Sequence, residues 1–375
     1  MPFHPSDHVA DVPASAGEVL AALRARGSAA AADAHSGEAL ADRTDQLLKS
    51  LAEHGVRPGE PVHVDAAEPV DTVLGCLAVW LSGGVPAVGP ATAAGAVRLV
   101  LDVPGGTVLA DAAGAPDTEP VRVDAALIVS AELAGCVAHP ADALGHLRLP
   151  DERPASLAVL ADWRVDAWLP LVLEAWLGGT PHVSLLPEDA DGAAAAPVGG
   201  GPAVLACPSG RLAAAPALAA AGAFAHRTTW GGGPAPADET VTHGFGDHQV
   251  LAVTRAHSAD GGTGPRGRVP GRHRVCNAAG RQLPTNAWGM LALAGRLPVV
   301  ADGYPELLAA LAAAPGERTV VTEYRARGRS DGTVEFDPRP QDALRFAGRR
   351  LAPAATARAL AAAGVADAAL VVRDT

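Results

Sequence analysis

The clearest periodic pattern of hydrophobic and polar residues lies between residues 38 and 54. At helical spacing, one face of this segment carries four leucines: Leu40, Leu47, Leu48 and Leu51. Charged residues fall mostly on the remaining faces, which is typical of an amphipathic helix. Gly55 follows as a helix stop, and Pro58-Gly59 predicts a turn into a short strand at residues 62–64.

Two pairs of continuous apolar runs repeat this order of helix and strand. Residues 70–81 predict a buried helix, and residues 85–88 predict the strand that follows it. Further along, residues 167–177 predict an apolar helix and residues 182–186 predict a strand. Helices that alternate with short apolar strands indicate an α/β fold built in layers.

Segments rich in glycine, proline and alanine separate these elements. We expect irregular connections at residues 187–202, 231–237 and 259–271. Two alanine-rich segments, residues 211–223 and 354–363, predict further helices because alanine has the highest intrinsic helix propensity.

Composition and charge restrict the environment and the partners of the chain. Its formal net charge is −12 and its arginines are scattered along the sequence, so we expect no nucleic-acid partner. No uncharged apolar run reaches the roughly 20 residues of a membrane span, and the N-terminus lacks a secretory signal, so we expect no membrane association. The cysteines lack the spacing of zinc sites and predict free thiols in a cytoplasmic protein: Cys76, Cys136, Cys207 and Cys276.

The C-terminal part of the chain contains a distinctive series of residues. It begins with Ser330-Asp331-Gly332-Thr333-Val334-Glu335-Phe336 and continues with Arg339, Asp342, Arg345, Gly348, Arg350, Leu351 and Pro353. This order and spacing resemble the adenylate-forming (ANL) superfamily, which includes acyl-CoA synthetases and the adenylation domains of nonribosomal peptide synthetases. Residues 37–60 and 73–90 resemble two earlier blocks of the same family.

The resemblance implies an adenylation-domain-like, layered α/β architecture in two parts. Residues 1–338 would form a shortened N-terminal core that includes a shortened β-rich subdomain. Residues 339–375 would form the remnant of a truncated C-terminal cap. In the family the cap supplies a catalytic lysine, and the sequence ends before a residue that matches it.

The phosphate-binding loop of the family is reduced in this chain. Residues 127–130 resemble the strand that enters the loop and residues 135–139 the segment that leaves it, so only residues 131–134 lie between. A phosphate cradle requires successive small residues whose backbone N–H groups converge on the anion. The four residues include no glycine and no lysine, and the carboxylate of Glu132 would repel phosphate. We therefore expect no ATP binding in the manner of the family.

Residues 165–167 resemble the family block whose aspartate holds the ammonium group of an amino-acid substrate. By this resemblance, Asp166 is a candidate substrate-binding residue for an amine-bearing or acyl ligand, because a carboxylate forms charge-assisted hydrogen bonds with an amine. An alternative interpretation is that Asp166 occupies a helix N-terminus, where the helix dipole favours a negative charge.

The blocks that resemble the nucleotide site lack its chemical groups. Residues 229–233 resemble the strand and turn before the adenine pocket, and Phe245 is a substrate-binding candidate that could stack on a flat ligand. His248 replaces the family's threonine. Gln249 replaces the glutamate that holds magnesium, and the neutral amide of a glutamine binds magnesium only weakly. Tyr324 replaces the aspartate that binds both ribose hydroxyls. The resemblance therefore implies that the ATP and magnesium sites are lost, and no cofactor is expected.

His243, Asp247 and His248 are the remaining candidates for chemistry. Imidazole and carboxylate groups suit zinc or iron, but the spacing does not match a helical histidine pair, and we expect no metal. An imidazole beside a carboxylate is also a plausible proton-transfer pair, so the three residues are catalytic candidates. A serine hydrolase would need the G-x-S-x-G nucleophile turn, which residues 207–210 match poorly.

Taken together, the pattern favours a catalytically degenerate adenylation-like protein that no longer adenylates. Its role would be that of a binding or structural partner in a carrier-protein-dependent pathway such as nonribosomal peptide assembly, and its partner would be a peptide synthetase or a carrier protein. An alternative hypothesis is an enzyme that uses the former substrate cleft for different chemistry. A third is an inert gene product, against which the intact hydrophobic pattern argues.

Overall fold

The structure is a computed structural model. It describes residues 15–28, 30–32, 35–89, 97, 99–110, 125–131, 135–141, 144, 149, 153–162, 165–187, 190, 197, 201–208, 224–231, 241–246, 251–255, 266–269, 272–301, 304–313, 317–337, 344–346 and 349–351.

Helices and strands alternate along the first part of the described chain, and strands predominate later. The helices are α1 (Ala16–Arg26), α2 (Gly37–Glu53), α3 (Pro69–Leu81), α4 (Val165–Gly178) and α5 (Tyr304–Ala313). The strands up to residue 161 are β1 (Ala30–Ala32), β2 (His35–Ser36), β3 (Pro61–Asp65), β4 (Val85–Val88), β5 (Leu99–Asp102), β6 (Thr107–Ala110), β7 (Leu127–Ala131), β8 (Gly135–His139) and β9 (Ser156–Ala161). The later strands are β10 (His182–Pro187), β11 (Ala203–Pro208), β12 (His226–Gly231), β13 (Val241–Gly246), β14 (Leu251–Arg255), β15 (Arg266–Gly267), β16 (Arg272–Cys276), β17 (Gly289–Gly295), β18 (Val299–Ala301), β19 (Arg318–Gly328), β20 (Val334–Phe336), β21 (Leu344–Phe346) and β22 (Arg349–Leu351).

Three large sheets organise these strands. The first has the order β18-β8-β7-β4-β3-β5-β6, and its strands β3, β4, β5 and β7 are parallel. The second has the order β10-β9-β11-β12-β13-β14, in which only the last pairing is antiparallel. The third, β15-β20-β19-β17-β16, is antiparallel throughout. The mixture of parallel sheets with helices and a separate antiparallel sheet is an α/β architecture with a β-rich subdomain.

Helix α2 is the amphipathic helix that the leucine pattern predicts. The hydroxyl of Ser36 accepts a hydrogen bond from the backbone N–H of Ala39, which caps the first turn. Leu40, Leu47 and Leu51 are buried on its inner face. Burial of leucine side chains contributes ~1.5–3 kcal/mol each, so packing stabilises this helix more than its intrinsic propensity does.

Helix α3 is buried along nearly its whole length. Glu68 and Asp71 form a reciprocal capping box at its start, and Pro69 occupies the first turn, where its missing N–H is not needed. Every residue from Val70 to Trp80 is buried. Trp80 places its indole N–H 2.6 Å from the backbone carbonyl oxygen of Ala126, which satisfies the polar group of this apolar helix.

The main hydrophobic core joins helices α1 to α4 to both of the mixed sheets. Val62 on β3 and Leu157 on β9 belong to the same buried cluster as Trp168 and Trp176 of α4. The opposite face of the first sheet packs against α5 through a second cluster that includes Val100 and Leu307. The first sheet is therefore covered on both faces, as mostly parallel sheets require.

The structure confirms the elements predicted from residues 38–54, 62–64, 70–81, 85–88, 167–177 and 182–186. The glycines at positions 55 and 179 have positive φ angles of 61° and 70°, so they end α2 and α4 as helix-stop residues. The expected connection at residues 259–271 is wrong in one part, because Arg266–Gly267 forms the short strand β15 against β20. The helices predicted at residues 211–223 and 354–363 lie outside the described residues.

The cysteines and the described helices bear on the environment of the chain. None of the four cysteines is in a disulfide, as their spacing predicts, and all four are buried. Among the described helices, none combines the length and the apolar character that crossing a membrane requires.

Candidate functional site

The carboxyl ends of the parallel strands β9 and β12 converge at one edge of the second sheet. Helix α4 begins close to this edge, because it follows β9 after only a short connection. Ligands of open α/β sheets bind outside the carboxyl ends of parallel strands, so this edge is where the fold would place a site.

Two indole groups converge on Asp162, which directly follows β9. The N–H of Trp230 donates to both carboxylate oxygens of Asp162, at 3.2 Å each. The N–H of Trp168 donates to the backbone carbonyl oxygen of Asp162 at 2.9 Å. Both tryptophans are almost completely buried, so the two bonds fix the start of α4 to the ends of β9 and β12.

Asp166 lies in the first turn of α4 and is buried, with 9% of its surface exposed. One of its carboxylate oxygens, Oδ2, lies 3.9 Å from the Nε2 atom of His139, which is itself 1% exposed. His139 ends β8 in the first sheet, so the His139–Asp166 pair connects the first sheet to α4. The position agrees with the helix-terminus interpretation of Asp166, and the proximity of an imidazole to its carboxylate was not expected from the sequence.

The strands that resemble the borders of the phosphate loop form a tight antiparallel hairpin. Ser130 pairs with Cys136 and Ala131 pairs with Gly135, so residues 132–134 alone connect β7 to β8. His139 pairs with Leu127 at the opposite end of this hairpin. The fold therefore does not bring the hairpin connection and His139 together.

The catalytic candidates on and after β13 are described only in part. In the backbone register, His243 pairs with Thr229 and Phe245 pairs with Gly231, so both residues lie on the strand next to Trp230. Asp247, His248 and Gln249 lie outside the described residues, as do Arg339 and Asp342. Within the described ranges, no group of three or more histidine, cysteine, aspartate or glutamate side chains is arranged to hold a metal ion.

Tyr324, which takes the place of the ribose-binding aspartate in the resemblance, belongs to β19. Its ring contacts that of Phe336 edge to face, with 5.9 Å between the ring centres. It packs against the hydrophobic cluster of the third sheet, which also contains Leu291 and Leu293. The phenol therefore has a packing role in this subdomain.

The Asp331-Gly332 turn, which carries the strongest family resemblance, has a structural role. The hydroxyl of Thr333 donates to the Asp331 carboxylate at 2.7 Å, and the guanidinium of Arg266 forms an ion pair with it. These interactions, first among them the Thr333 hydrogen bond, lower the pKa of Asp331 to about 2. Gly332 supplies the positive φ angle of 80° that the turn requires.

Sequence reasoning did not identify His139 or Asp162 as site residues. His139 was noted only as the end of a family-like segment, and a buried strand histidine gives no periodic signal of its own. Asp162 follows an apolar run and precedes a tryptophan, a pattern that does not distinguish a surface turn from a buried hydrogen-bond acceptor.

Comparison with known proteins gives matches at the level of structure. No protein-family model matches the chain, and no curated protein is significantly similar to it in sequence. The structure is similar to NpsA-ThdA from Klebsiella oxytoca, an artificially fused adenylation-PCP di-domain of a nonribosomal peptide synthetase. The TM-score is 0.66 at 17% sequence identity, over 98% of this chain and 81% of that one.

Two other similar structures extend the comparison. Apo MatB from Rhodopseudomonas palustris has a TM-score of 0.59 at 15% identity, over 90% of this chain and 81% of its own. The nonribosomal peptide synthetase FmoA3 (S1046A) has a TM-score of 0.65 at 18% identity, over 90% of this chain and 43% of its own. Similarity at these identities concerns the fold alone. The two mixed sheets, the helices that pack on them and the antiparallel subdomain therefore give this chain an adenylation-domain-like fold, similar to the folds of these structures.

Proposed function

We propose that this chain is a catalytically degenerate adenylation-domain-like protein that does not adenylate. It acts as a binding or structural partner in carrier-protein-dependent biosynthesis of the nonribosomal peptide type. In this role it needs neither ATP nor magnesium.

The register of the β7–β8 hairpin is the observation that carries this proposal. Because Ala131 pairs with Gly135, three residues replace a loop that would have to surround the phosphates of ATP. Three residues provide too few backbone N–H groups to surround a triphosphate, and one of the three is Glu132. Gln249 and Tyr324, at the positions that resemble the magnesium and ribose ligands, support the same conclusion.

The similar structures indicate the kind of pathway in which this chain acts. NpsA-ThdA joins an adenylation domain to a PCP, and FmoA3 is a nonribosomal peptide synthetase. A chain with this fold but without the phosphate loop can still bind other proteins through its surface, although it cannot hold ATP for adenylation. This favours a carrier protein or a peptide synthetase as its partner. The four free cysteines favour a reducing compartment such as the cytoplasm.

Pyrophosphate exchange tests the loss of adenylation. The purified chain is incubated with ATP, magnesium, labelled pyrophosphate and a panel of amino acids and aryl acids, beside an active adenylation domain. We expect exchange by the active domain and none above background by this chain. Substrate-dependent exchange by the wild-type chain would reject the proposal, whereas co-purification with a carrier protein or synthetase of the same organism would support its second half.

A second candidate function is an enzyme that uses the former substrate cleft for different chemistry. The buried His139–Asp166 pair favours it, because an imidazole beside a carboxylate can transfer a proton. His139→Gln and Asp166→Asn keep the size of each side chain, so both variants test chemistry with little change in packing. The measurement is the rate at which the biosynthetic pathway of this protein forms its product. If the folded variants support the wild-type rate, this candidate is rejected.

A further inference from the structure

The turn between β19 and β20 contains the dipeptide Asp331-Gly332. In such a dipeptide the backbone nitrogen of the glycine can attack the side-chain carboxyl carbon of the aspartate, because glycine has no side chain to obstruct the approach. The product is a cyclic succinimide, and its hydrolysis gives isoaspartate. Water reaches this turn freely, since 49% of the Asp331 side chain is exposed and Gly332 is exposed as well.

The reaction requires the protonated form of the carboxyl group. A bond forms between the Gly332 nitrogen and Cγ of Asp331 while a Cγ–O bond breaks, and the carboxyl OH leaves with the amide proton as water. Water then opens the ring. Cleavage of the new bond restores aspartate, whereas cleavage of the original peptide bond gives isoaspartate, and no other reactant is needed. A carboxylate is a poor electrophile, so any interaction that keeps Asp331 ionised slows the attack.

Two residues hold the Asp331 carboxylate in its ionised form. The hydroxyl of Thr333 donates to Oδ1 at 2.7 Å, and the backbone N–H of Thr333 donates to the same oxygen at 3.1 Å. The guanidinium of Arg266 donates to Oδ2, and its Nε–H also donates to the Thr333 hydroxyl oxygen at 2.8 Å. The three side chains therefore form a closed network. Such donors favour the charged carboxylate, which agrees with the lowered pKa of Asp331.

The contribution of Arg266 to this network exists only in the folded chain. Arg266 belongs to β15, 65 positions before Asp331, and it pairs with Glu335 of β20 in the backbone register. In the unfolded chain this contact is lost, and Asp331 becomes an ordinary exposed aspartate. Folding also restrains the attacking group, because the N–H of Gly332 donates to the backbone carbonyl oxygen of Arg329 at 3.2 Å.

Isoaspartate at this position would disturb the third sheet. It places the Cβ atom of residue 331 in the main chain and so lengthens the turn. The turn is closed by a hydrogen bond of 2.8 Å from the backbone N–H of Arg329 to the carbonyl oxygen of Thr333. The next residues form β20, whose Val334 and Phe336 belong to the hydrophobic cluster of this sheet. A longer turn would displace this strand from its register.

We propose that Asp331-Gly332 is a site of isoaspartate modification, which the hydrogen-bond network of Arg266 and Thr333 keeps unreactive in the folded protein. Loss of either side chain leaves the carboxyl group open to attack by the Gly332 nitrogen. The inference goes beyond the proposed function and does not depend on it, because it concerns the chemical lifetime of the β-rich subdomain rather than adenylation or partner binding.

Ageing of the full-length chain at mildly acidic pH tests the inference. Trypsin cuts after Arg329, so the peptide that begins at Ser330 carries the modified bond. Mass spectrometry with electron-transfer fragmentation measures the fraction of isoaspartate at residue 331 over time. The reference is the same chain unfolded in guanidinium chloride, in which the network is absent.

Two variants remove the donors one at a time. Thr333→Val removes the hydroxyl but keeps the shape of the side chain, and Arg266→Met removes the guanidinium but keeps an extended side chain. The control is Arg268→Met, which makes the same change at an exposed position two residues further along the chain. Thermal unfolding confirms that each variant is folded.

We expect residue 331 to convert about tenfold more slowly in the folded wild type than in the unfolded chain. Thr333→Val and Arg266→Met should each raise the rate in the folded chain by about threefold, and Arg268→Met should leave it within about twofold. Equal rates in the folded and unfolded wild type would overturn the inference, and this comparison needs no variant. So would folded test variants that convert as slowly as the wild type, because the backbone of the turn, rather than the network, would then prevent the attack.

Discussion

The Nε2 atom of His139 lies 3.9 Å from the Oδ2 atom of Asp166, and both side chains are buried. The first residue belongs to a strand of the first sheet and the second to a helix that packs on the second sheet. The carboxylate that would hold a substrate ammonium in the family therefore already has a basic side chain as its neighbour inside the protein.

A double-mutant cycle measures this interaction. We expect His139→Ala to lower the free energy of unfolding by ~2–4 kcal/mol, because it leaves the Asp166 carboxylate buried without the imidazole and creates a cavity. Asp166→Ala should lower the free energy of unfolding less in the His139→Ala background than in the wild type. We expect the difference between these two losses, the coupling energy, to be at least ~1 kcal/mol. Urea denaturation of the four proteins provides the values, and strictly additive costs would contradict the interaction.

Trp230→Phe tests the attachment of β12 to Asp162. The substitution keeps an aromatic ring but removes the N–H that donates to the carboxylate, so we expect a loss of ~1.5–3 kcal/mol. Trp288→Phe is the matched control, since its ring is only half-buried, and it should cost less than ~1 kcal/mol. Chemical denaturation of both variants checks the difference. A loss below ~1 kcal/mol for Trp230→Phe would contradict the contribution of the hydrogen bond to this edge.

His63 should make stability depend on pH. Burial in β3 lowers the pKa of its imidazole from 6.5, although the nearby Asp65 acts in the opposite direction. Below pH 6.5 the unfolded chain therefore takes up a proton that the folded chain does not, so the free energy of unfolding falls as pH decreases from 6.5 toward the folded-state pKa. The slope from this group is at most ~1.4 kcal/mol per pH unit.

His63→Leu should remove that slope. Leucine is of similar volume and suits a strand whose neighbours at this position are Ala87 and Val100. We expect the variant to gain stability relative to the wild type between pH 7 and pH 5, measured by urea denaturation at each pH. His35→Gln, at an exposed position, is the control. If the difference in the free energy of unfolding between His63→Leu and the wild type is the same at pH 7 and at pH 5, the effect of burial on the pKa of His63 is contradicted.

Gly37→Ala tests the contact between the first two helices. A methyl group at this position would lie inside van der Waals distance of the backbone oxygen of Leu23 and 2.7 Å from the Cβ atom of Arg26. Backbone cannot move aside cheaply, so we expect a loss of ~1–3 kcal/mol. Gly178→Ala, where a methyl group meets nothing within 4 Å, should be neutral or stabilising by up to ~1 kcal/mol. Similar melting temperatures for the two variants would contradict this expectation, because α1 and α2 could then move apart without a loss in the free energy of unfolding.

The sequence predicts the elements of the first part of the chain well, for a physical reason. The leucines of α2 and the continuous apolar run of α3 report burial directly, because periodicity depends on which face meets the core. Helices α1 and α5 are not among the elements that the sequence predicts. Strand β15 has two residues, too few to show alternation, and exists only because β20 lies beside it.

The site was less predictable than the fold. Asp166 was found from a resemblance, whereas its neighbour His139 lies 27 positions earlier in the sequence and on a different sheet. Contacts of this kind are set by how sheets pack, and no local pattern encodes them.

Strand β18 has a consequence for how the protein is made. It contributes residues 299–301 to a sheet whose other strands all come from residues 61–139, and it pairs with β8 at the edge. During synthesis β8 therefore presents an unpaired edge until more than 150 further residues have left the ribosome. Closing such a long loop is slow, so the first sheet would be among the last parts of the molecule to be completed, although its sequence comes first.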